Sequence, residues 1–171
     1  MKMKPAFVFF SSLLFFYFNA SAQLKTTVKC PDFNVDILGG RINNVILPSS
    51  TIGQIKLNLP CFTSVQEESD TSNCGGKVFY KDNDVSFFTS RNYVEIGPAF
   101  KGKLSIPLIG ASRNNLFQYL GAPQIKDIHW DAFQTAYGVL ILYYDNADKV
   151  NKIRFSTQKA SSIKLCDEYS R

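Results

Sequence analysis

Four cysteines, Cys30, Cys61, Cys74 and Cys166, and one histidine, His129, are the residues of this chain best suited to covalent, metal or acid–base chemistry. A zinc site needs thiolates and imidazoles at short spacings, and here no C-x-x-C occurs and His129 is far in sequence from every cysteine. Disulfides are the simpler use of an even count in an exported chain. Of the three possible pairings, the expected set joins Cys61 to Cys74 around the polar loop Gln66 to Asn73, and Cys30 to Cys166 across the two ends of the domain. Nucleophilic catalysis on a Ser-His-Asp or Cys-His plan would have to be built on His129, which sits beside Trp130 and Asp131 without a G-x-S-x-G or H-E-x-x-H context. The aspartate pairs Asp82 with Asp84 and Asp145 with Asp148 lack the D-x-[DN]-x-[DN]-G pattern and distal Glu of a calcium loop, and they read as hairpin turns. No Gly-rich phosphate loop is present. The expectation is a protein with no catalytic residues, no metal and no cofactor.

Aromatic side chains remain as the chemistry of recognition. Phe79, Tyr80, Phe87, Phe88, Tyr93, Trp130, Phe133, Tyr137, Tyr143 and Tyr144 fall on or beside expected strands, where aromatics pack well across a sheet. Tyr and Trp also offer large contact area with a polar tip. Trp130, Tyr143, Tyr144, Phe88 and Tyr93 are the candidate binding residues. Adjacent members such as Phe87 with Phe88, or Tyr143 with Tyr144, must face opposite sides of their strand, so one of each pair meets the helix layer.

The elements that hold these residues recur along the chain. Val45 to Leu59 aligns without a gap on Ile106 to Leu120, matching Thr51 with Ser112, Ile55 with Leu116 and Leu59 with Leu120. Farther on, Asn92 to Ile96 falls on Asn151 to Phe155. A period of about 60 residues exceeds the usual solenoid units, which implies two tandem units rather than an array. In each, a strand leads to a helix of about two turns, too short to persist without a sheet to pack on. Thr51 and Gln54 form a capping box ahead of Ile52, Ile55 and Leu59, and Pro60 stops the helix. Ser112 is the matching N-cap, with Leu116 and Leu120 on one face, then Gly121 and Pro123 as terminators.

An antiparallel meander follows each helix. The expected strands are Gly76 to Tyr80, Val85 to Phe88 and Tyr93 to Ile96, then Ile128 to Trp130, Tyr137 to Tyr144 and Val150 to Phe155. Val139 to Tyr144 is apolar throughout, so both of its faces should be covered or should present an apolar surface that binds something. Val150 to Phe155 instead offers charges to water. The fold class is therefore α+β, each unit a short helix on a β-meander. The divisions are 1–22 leader, 23–100 first unit and 101–171 second unit, forming one compact disulfide-linked domain.

Compartment and charge narrow the function. Lys2 and Lys4, an apolar run from Phe7 to Phe18 and the small residues Ala20, Ser21 and Ala22 make a secretory signal with cleavage expected after Ala22. No stretch reaches the about 20 apolar residues of a membrane span, and no cysteine stands at or just after the cleavage site to carry a lipid. A secreted or periplasmic protein without a stable membrane anchor is expected. The net charge of +5 is spread over scattered Lys and Arg with no basic run, a poor match to nucleic acid.

Leu120-Gly-Ala-Pro123 after a capped helix, then Ile128 to Asp131, Tyr137 to Val139, and the hairpin from Tyr143 to Phe155, resembles the unit of the β-lactamase inhibitor protein family and of the small outer-membrane-assembly lipoproteins of the SmpA/OmlA type. The resemblance covers residues 105–156 and, more weakly, 44–96. The first copy departs from it in reading Leu59-Pro60-Cys61. It implies short helices on an antiparallel sheet and a member that binds proteins without catalysis. The expected function is an exported, non-enzymatic protein-binding module, an inhibitor, immunity-type protector or envelope-assembly accessory, whose partner is another exported or envelope protein. A secreted small-ligand or carbohydrate binder is the alternative.

Overall fold

The computed structural model describes residues 30–68, 75–164 and 166 of the chain. The expected leader over 1–22 and Cys74 lie outside the described residues.

Alternation in Phe33-Asn-Val-Asp buries Phe33 and Val35 in strand β1 (Phe33–Asp36), and β2 (Arg41–Ile42) returns antiparallel to it. The connection passes through Gly40 at φ 61°, where the ring of Tyr137 approaches so closely that a Cβ would lie 2.5 Å from it. Only glycine fits both the backbone and the space. Helix α1 (Ile52–Asn58) begins with the expected capping box: Gln54 N donates to Thr51 Oγ1 at 3.2 Å and Thr51 N to Gln54 Oε1 at 2.9 Å. It ends at Leu59, ahead of Pro60.

A disulfide joins Cys30 to Cys61, with Cα atoms 5.6 Å apart. This overturns both expected pairs, Cys61 with Cys74 and Cys30 with Cys166. The physical reason is the docking of β1 on the sheet: Phe33 packs edge-on against Tyr80 at 5.1 Å, and the Tyr80 hydroxyl donates to Leu59 O at 2.7 Å. The start of β1 and the end of α1 thereby meet over one side chain. Cys166 is also disulfide-bonded.

The main sheet has eight strands, all pairs antiparallel. Residues 64–96 supply β3 (Ser64–Gln66), β4 (Lys77–Tyr80), β5 (Val85–Phe88) and β6 (Tyr93–Ile96). After β7 (Gly102–Leu104), residues 125–156 supply β8 (Ile125–Lys126), β9 (Trp130–Gln134), β10 (Val139–Tyr144) and β11 (Val150–Ser156). The order is β3-β4-β5-β6-β11-β10-β9-β8, so β6 and β11 pair at the centre. Strand β7 instead joins β1 in parallel, completing a three-stranded sheet β2-β1-β7. The hairpin turns are tight because Asp84, Asn92 and Asp148 adopt the left-handed conformation, at φ 54°, 50° and 53°, which Asn and Asp tolerate better than other side chains. Asp145 accepts from Ala147 N and Lys149 N at 2.9 and 3.0 Å, which holds its carboxyl below the usual range.

Among the described residues the fold is thus mostly β-sheet, with two short helices on one side. The second helix departs from expectation. Ser112 makes no side-chain cap; it precedes a 3-10 turn, Arg113–Asn115, and α2 is only Phe117–Leu120. Asn115 stands where Gln54 completes the first capping box, and the free Arg113 N–H is satisfied across the fold by Asp148 O at 2.9 Å. Strand β9 also begins only at Trp130 and runs on to Gln134.

The helices and the small sheet cover one face of the large sheet. Phe33, Val35, Ile52, Ile55 and Leu116 pack there against Val78, Phe87, Val94, Ile153, Phe155 and Leu140. Strand β10 is covered on both sides, as its composition requires, but the second cover is the chain's own C-terminal segment. Ala160 and Ile163 pack on Val139, Ile141 and Ala132, and Ala160 N donates to Gln134 Oε1 at 3.2 Å.

Candidate functional site

The pleat sends alternate residues of the large sheet away from the helix layer. Register assigns two full rows to that face, which faces away from the helices. One is Gln66, Lys77, Phe88, Tyr93, Ser156, Val139 and Gln134; the other is Ser64, Phe79, Ser86, Glu95, Arg154, Ile141, Ala132 and Ile125. A third, shorter row carries Lys152, Tyr143 and Trp130. The C-terminal segment covers the Val139 and Ile141 end; Ser86, Tyr93, Arg154 and Ser156 are buried as well, and Lys77, Phe79, Phe88, Glu95, Lys152, Tyr143 and Trp130 are half-buried.

Cations and rings alternate across this surface. Lys77 Nζ lies 5.3 Å from the Phe79 ring centre and 4.9 Å from that of Phe88. Phe88 stacks on Tyr93 with centroids 4.4 Å apart and planes 12° apart. The Arg154 guanidinium follows, 5.5 Å from Tyr93 and 4.9 Å from Tyr143, and Lys152 Nζ lies 4.6 Å from the same Tyr143 ring. A guanidinium or ammonium on a ring face is attracted by the ring quadrupole and is held in place without losing its charge. Arg154 is further fixed by donating from Nε to Glu95 Oε2 at 2.7 Å and from Nη1 to the Tyr143 hydroxyl at 2.9 Å. Glu95 also meets Lys152 at 3.9 Å.

Of the five candidate binding residues, the fold brings four to this face. Phe88 and Tyr143 are half-buried members of the ladder, and Trp130 stands opposite Tyr143 on β9. Tyr93 is fully buried beneath the surface, where it forms the floor under Phe88 and beside Arg154. Tyr144 points the other way. It is buried on the helix side, donates its hydroxyl to Asp131 Oδ2 at 2.8 Å and lies under Arg113 at 4.6 Å. Arg113 grips Asp131 with two nitrogens and donates to Ile128 O at 3.1 Å and Asp127 O at 2.6 Å, so this cluster fastens the turn before α2 to β9. Burial raises the Tyr144 hydroxyl well above the ordinary phenol range, and its hydrogen bond to Asp131 adds to that.

The charged half of the ladder escapes a reading by type alone. The composition of β11 predicts charges offered to water, yet the Arg154 side chain is only 7% exposed, with Glu95 and two tyrosine rings among the groups around it. The signal available in sequence is alternation: Lys152 and Arg154 at i and i+2 share a face, as do Lys77 and Phe79. The meeting of Arg154 with Glu95 depends on register between residues 59 apart. His129 lies exposed in the turn before β9, its backbone N–H donating to Asp127 Oδ1 at 3.2 Å. Among the described residues no group of three or more His, Cys, Asp or Glu could hold a metal ion, and no helix is long and apolar enough to cross a membrane.

Comparison of the chain with protein-family models, with curated proteins and with solved structures finds no match.

Proposed function

We propose that this protein is an exported, non-enzymatic binding module that contacts another secreted or envelope protein through the open face of its large sheet. The observation that carries the reading is the ladder of rings and cations that is half-buried at Phe79, Phe88, Tyr143 and Lys152 and held together by the buried Arg154. Tyr, Trp and Arg dominate binding hot spots because each places a large, pre-ordered surface against a partner, and here the neighbouring contacts order them before any partner arrives. Export is supported by the leader sequence and by the Cys30–Cys61 disulfide, a bond of oxidising compartments.

The two halves are read as tandem copies of one unit, the arrangement implied by the resemblance to the inhibitor and assembly-lipoprotein superfamily. Support comes from the sheet order, in which each half contributes four consecutive strands and the last of each run meets at the centre. Joining the halves edge to edge doubles the width of the open face, to about 34 Å across eight strands.

The test is capture from envelope and culture fractions of the source organism with the oxidised chain from Gln23 to Arg171, in parallel with a Phe88→Ala/Tyr143→Ala variant whose fold is checked by circular dichroism. A stoichiometric protein retained by the parent and lost by the variant supports the reading. Equal retention by both would place the contact elsewhere. A thermal shift with glycans or amphiphiles, and no retained protein, would favour a small-ligand binder instead, since a ligand raises stability by mass action.

A further inference from the structure

The helix side of the molecule holds a groove that the aromatic face does not involve. It lies between residues 45–50 and helix α1, has a volume of about 310 Å³, and has Val45, Leu47, Ser49, Gln54 and Asn58 among its walls. None of its lining residues carries a charge. Val45 is 62% exposed, Leu47 is exposed beside it, and Leu57, 82% exposed, stands three residues from Gln54 on the same helix, where the two are surface neighbours. Single exposed apolar residues are ordinary. Three of them beside one groove form a surface suited to a partner.

Two side-chain amides in the groove are held by bonds that leave part of each unused. Gln54 Oε1 accepts from Thr51 N at 2.9 Å, and Gln54 Nε2 has no acceptor among the described residues. Asn58 Nδ2 donates to Gln54 O at 2.8 Å, and Asn58 Oδ1 has no donor among the described residues. The partners fix which end of each amide is which, since a backbone N–H must meet an oxygen and a carbonyl must meet a nitrogen. Four residues apart, Gln54 and Asn58 share a face of α1, with Cβ atoms about 5 to 6 Å from each other. In an extended chain the peptide groups facing one side repeat every two residues, about 6.7 Å. Gln54 can therefore donate to a carbonyl of such a chain while Asn58 accepts from the N–H two residues along. A hydroxyl-rich ligand could meet the same two amides but has no counterpart for Val45, Leu47 and Leu57.

We infer that this groove docks an uncharged, extended segment of another protein, its backbone met by Gln54 and Asn58 and its apolar side chains resting on Val45 and Leu47. A peptide bound in this way takes affinity from main-chain hydrogen bonds and selectivity from its alternate side chains. The groove lies on the helix side of the large sheet, away from the aromatic face, so the failure of one contact leaves the other standing.

The test is a nuclear magnetic resonance titration of the 15N-labelled oxidised protein with an end-capped five-residue peptide alternating Val and Ser. Amides of residues 45–58 are expected to shift, together with the side-chain NH2 signals of Gln54 and Asn58. Gln54→Glu removes the Nε2 donor but keeps an oxygen for Thr51 N, so the capping box and the thermal melt should persist. Binding should weaken about two- to tenfold, the range of one hydrogen bond. Peptides methylated on the nitrogens of positions 2 and 4, or on that of position 3, should differ in affinity, because only alternate N–H groups face the helix. Replacing Ser by Asp or by Lys should bring no gain. Equal binding to the parent and to Gln54→Glu, equal affinity of the two methylated peptides, or tighter binding of a charged peptide would overturn the inference. Shifts confined to other residues, or none at millimolar peptide, would overturn it too. Shifts at residues 45–58 with maltotriose and with no peptide would replace the protein segment by a hydroxyl-rich ligand.

Discussion

Arg154 is the residue whose loss should most disturb the open face, and Arg154→Ala measures how the face is held. Its Nε lies 2.7 Å from Glu95 Oε2, a gross attraction of about 6 kcal/mol at an effective dielectric of about 20. Most of that is offset by desolvation of a nearly buried guanidinium. The informative quantity is the cost of removing one partner, about 3 to 5 kcal/mol for a buried pair. Glu95 remains 25% exposed and can recover water, which puts the pair at the lower end, about 3 kcal/mol. Two lost ring contacts, at Tyr93 and Tyr143, add about 1 kcal/mol. Urea unfolding followed by circular dichroism should therefore show Arg154→Ala less stable by about 3 to 4 kcal/mol, with an unchanged m-value if only the native state is affected. A cycle with Glu95→Ala should give a coupling of at least about 1.5 kcal/mol. Lys152→Ala, whose contact with Glu95 is 3.9 Å long and partly exposed, should cost less than about 1 kcal/mol. A loss below about 1 kcal/mol for Arg154→Ala, or a coupling below about 0.5 kcal/mol, would show that the enclosure of Arg154 does not organise the surface.

Other perturbations reach the layer behind the face. The Cys30–Cys61 bridge spans 31 residues, so Cys30→Ser with Cys61→Ser should lower stability by about 3.5 kcal/mol in the loop-entropy account, and peptide mapping without reduction should recover the two cysteines together. Burial raises the hydroxyls of Tyr80, Tyr137 and Tyr144 above the ordinary phenol range. The folded chain then keeps protons that the unfolded chain loses, so stability should hold below about pH 10 and fall above it, by up to about 1.4 kcal/mol per pH unit for each tyrosine. Absorbance titration at alkaline pH should show these tyrosinates arriving with unfolding; smooth ionisation of every tyrosine in the folded state would contradict their burial. Thr51→Ala should cost about 1 kcal/mol by opening the observed capping box, read as a shift in the urea midpoint.

Local patterns were legible where local physics decides the outcome. The capping box at Thr51 and Gln54 formed because both groups lie within one turn, and the hairpins at Lys81 to Asp84 and Asp145 to Asp148 formed because Asn and Asp accept the conformation a tight turn demands. The same rule applied to Ser112 misled, because the partner that satisfies Arg113 N–H is Asp148, brought near by the sheet rather than by the helix. Alternation placed Phe87 and Phe88, and Tyr143 and Tyr144, on opposite faces, but it could not say which face would be covered.

Composition and period by themselves determined strands, turns, the first helix and the concentration of aromatics on the sheet, since these depend on residues within a few positions of one another. Tertiary structure alone decided the rest. It paired Cys30 with Cys61, turned Tyr144 into core and Tyr143 into surface, laid Ala160 and Ile163 over β10, and set β6 against β11 so that Glu95 meets Arg154. The physical reason is register. Each of these contacts joins segments distant in the chain, and a slip of one residue in strand pairing would send every side chain to the opposite face.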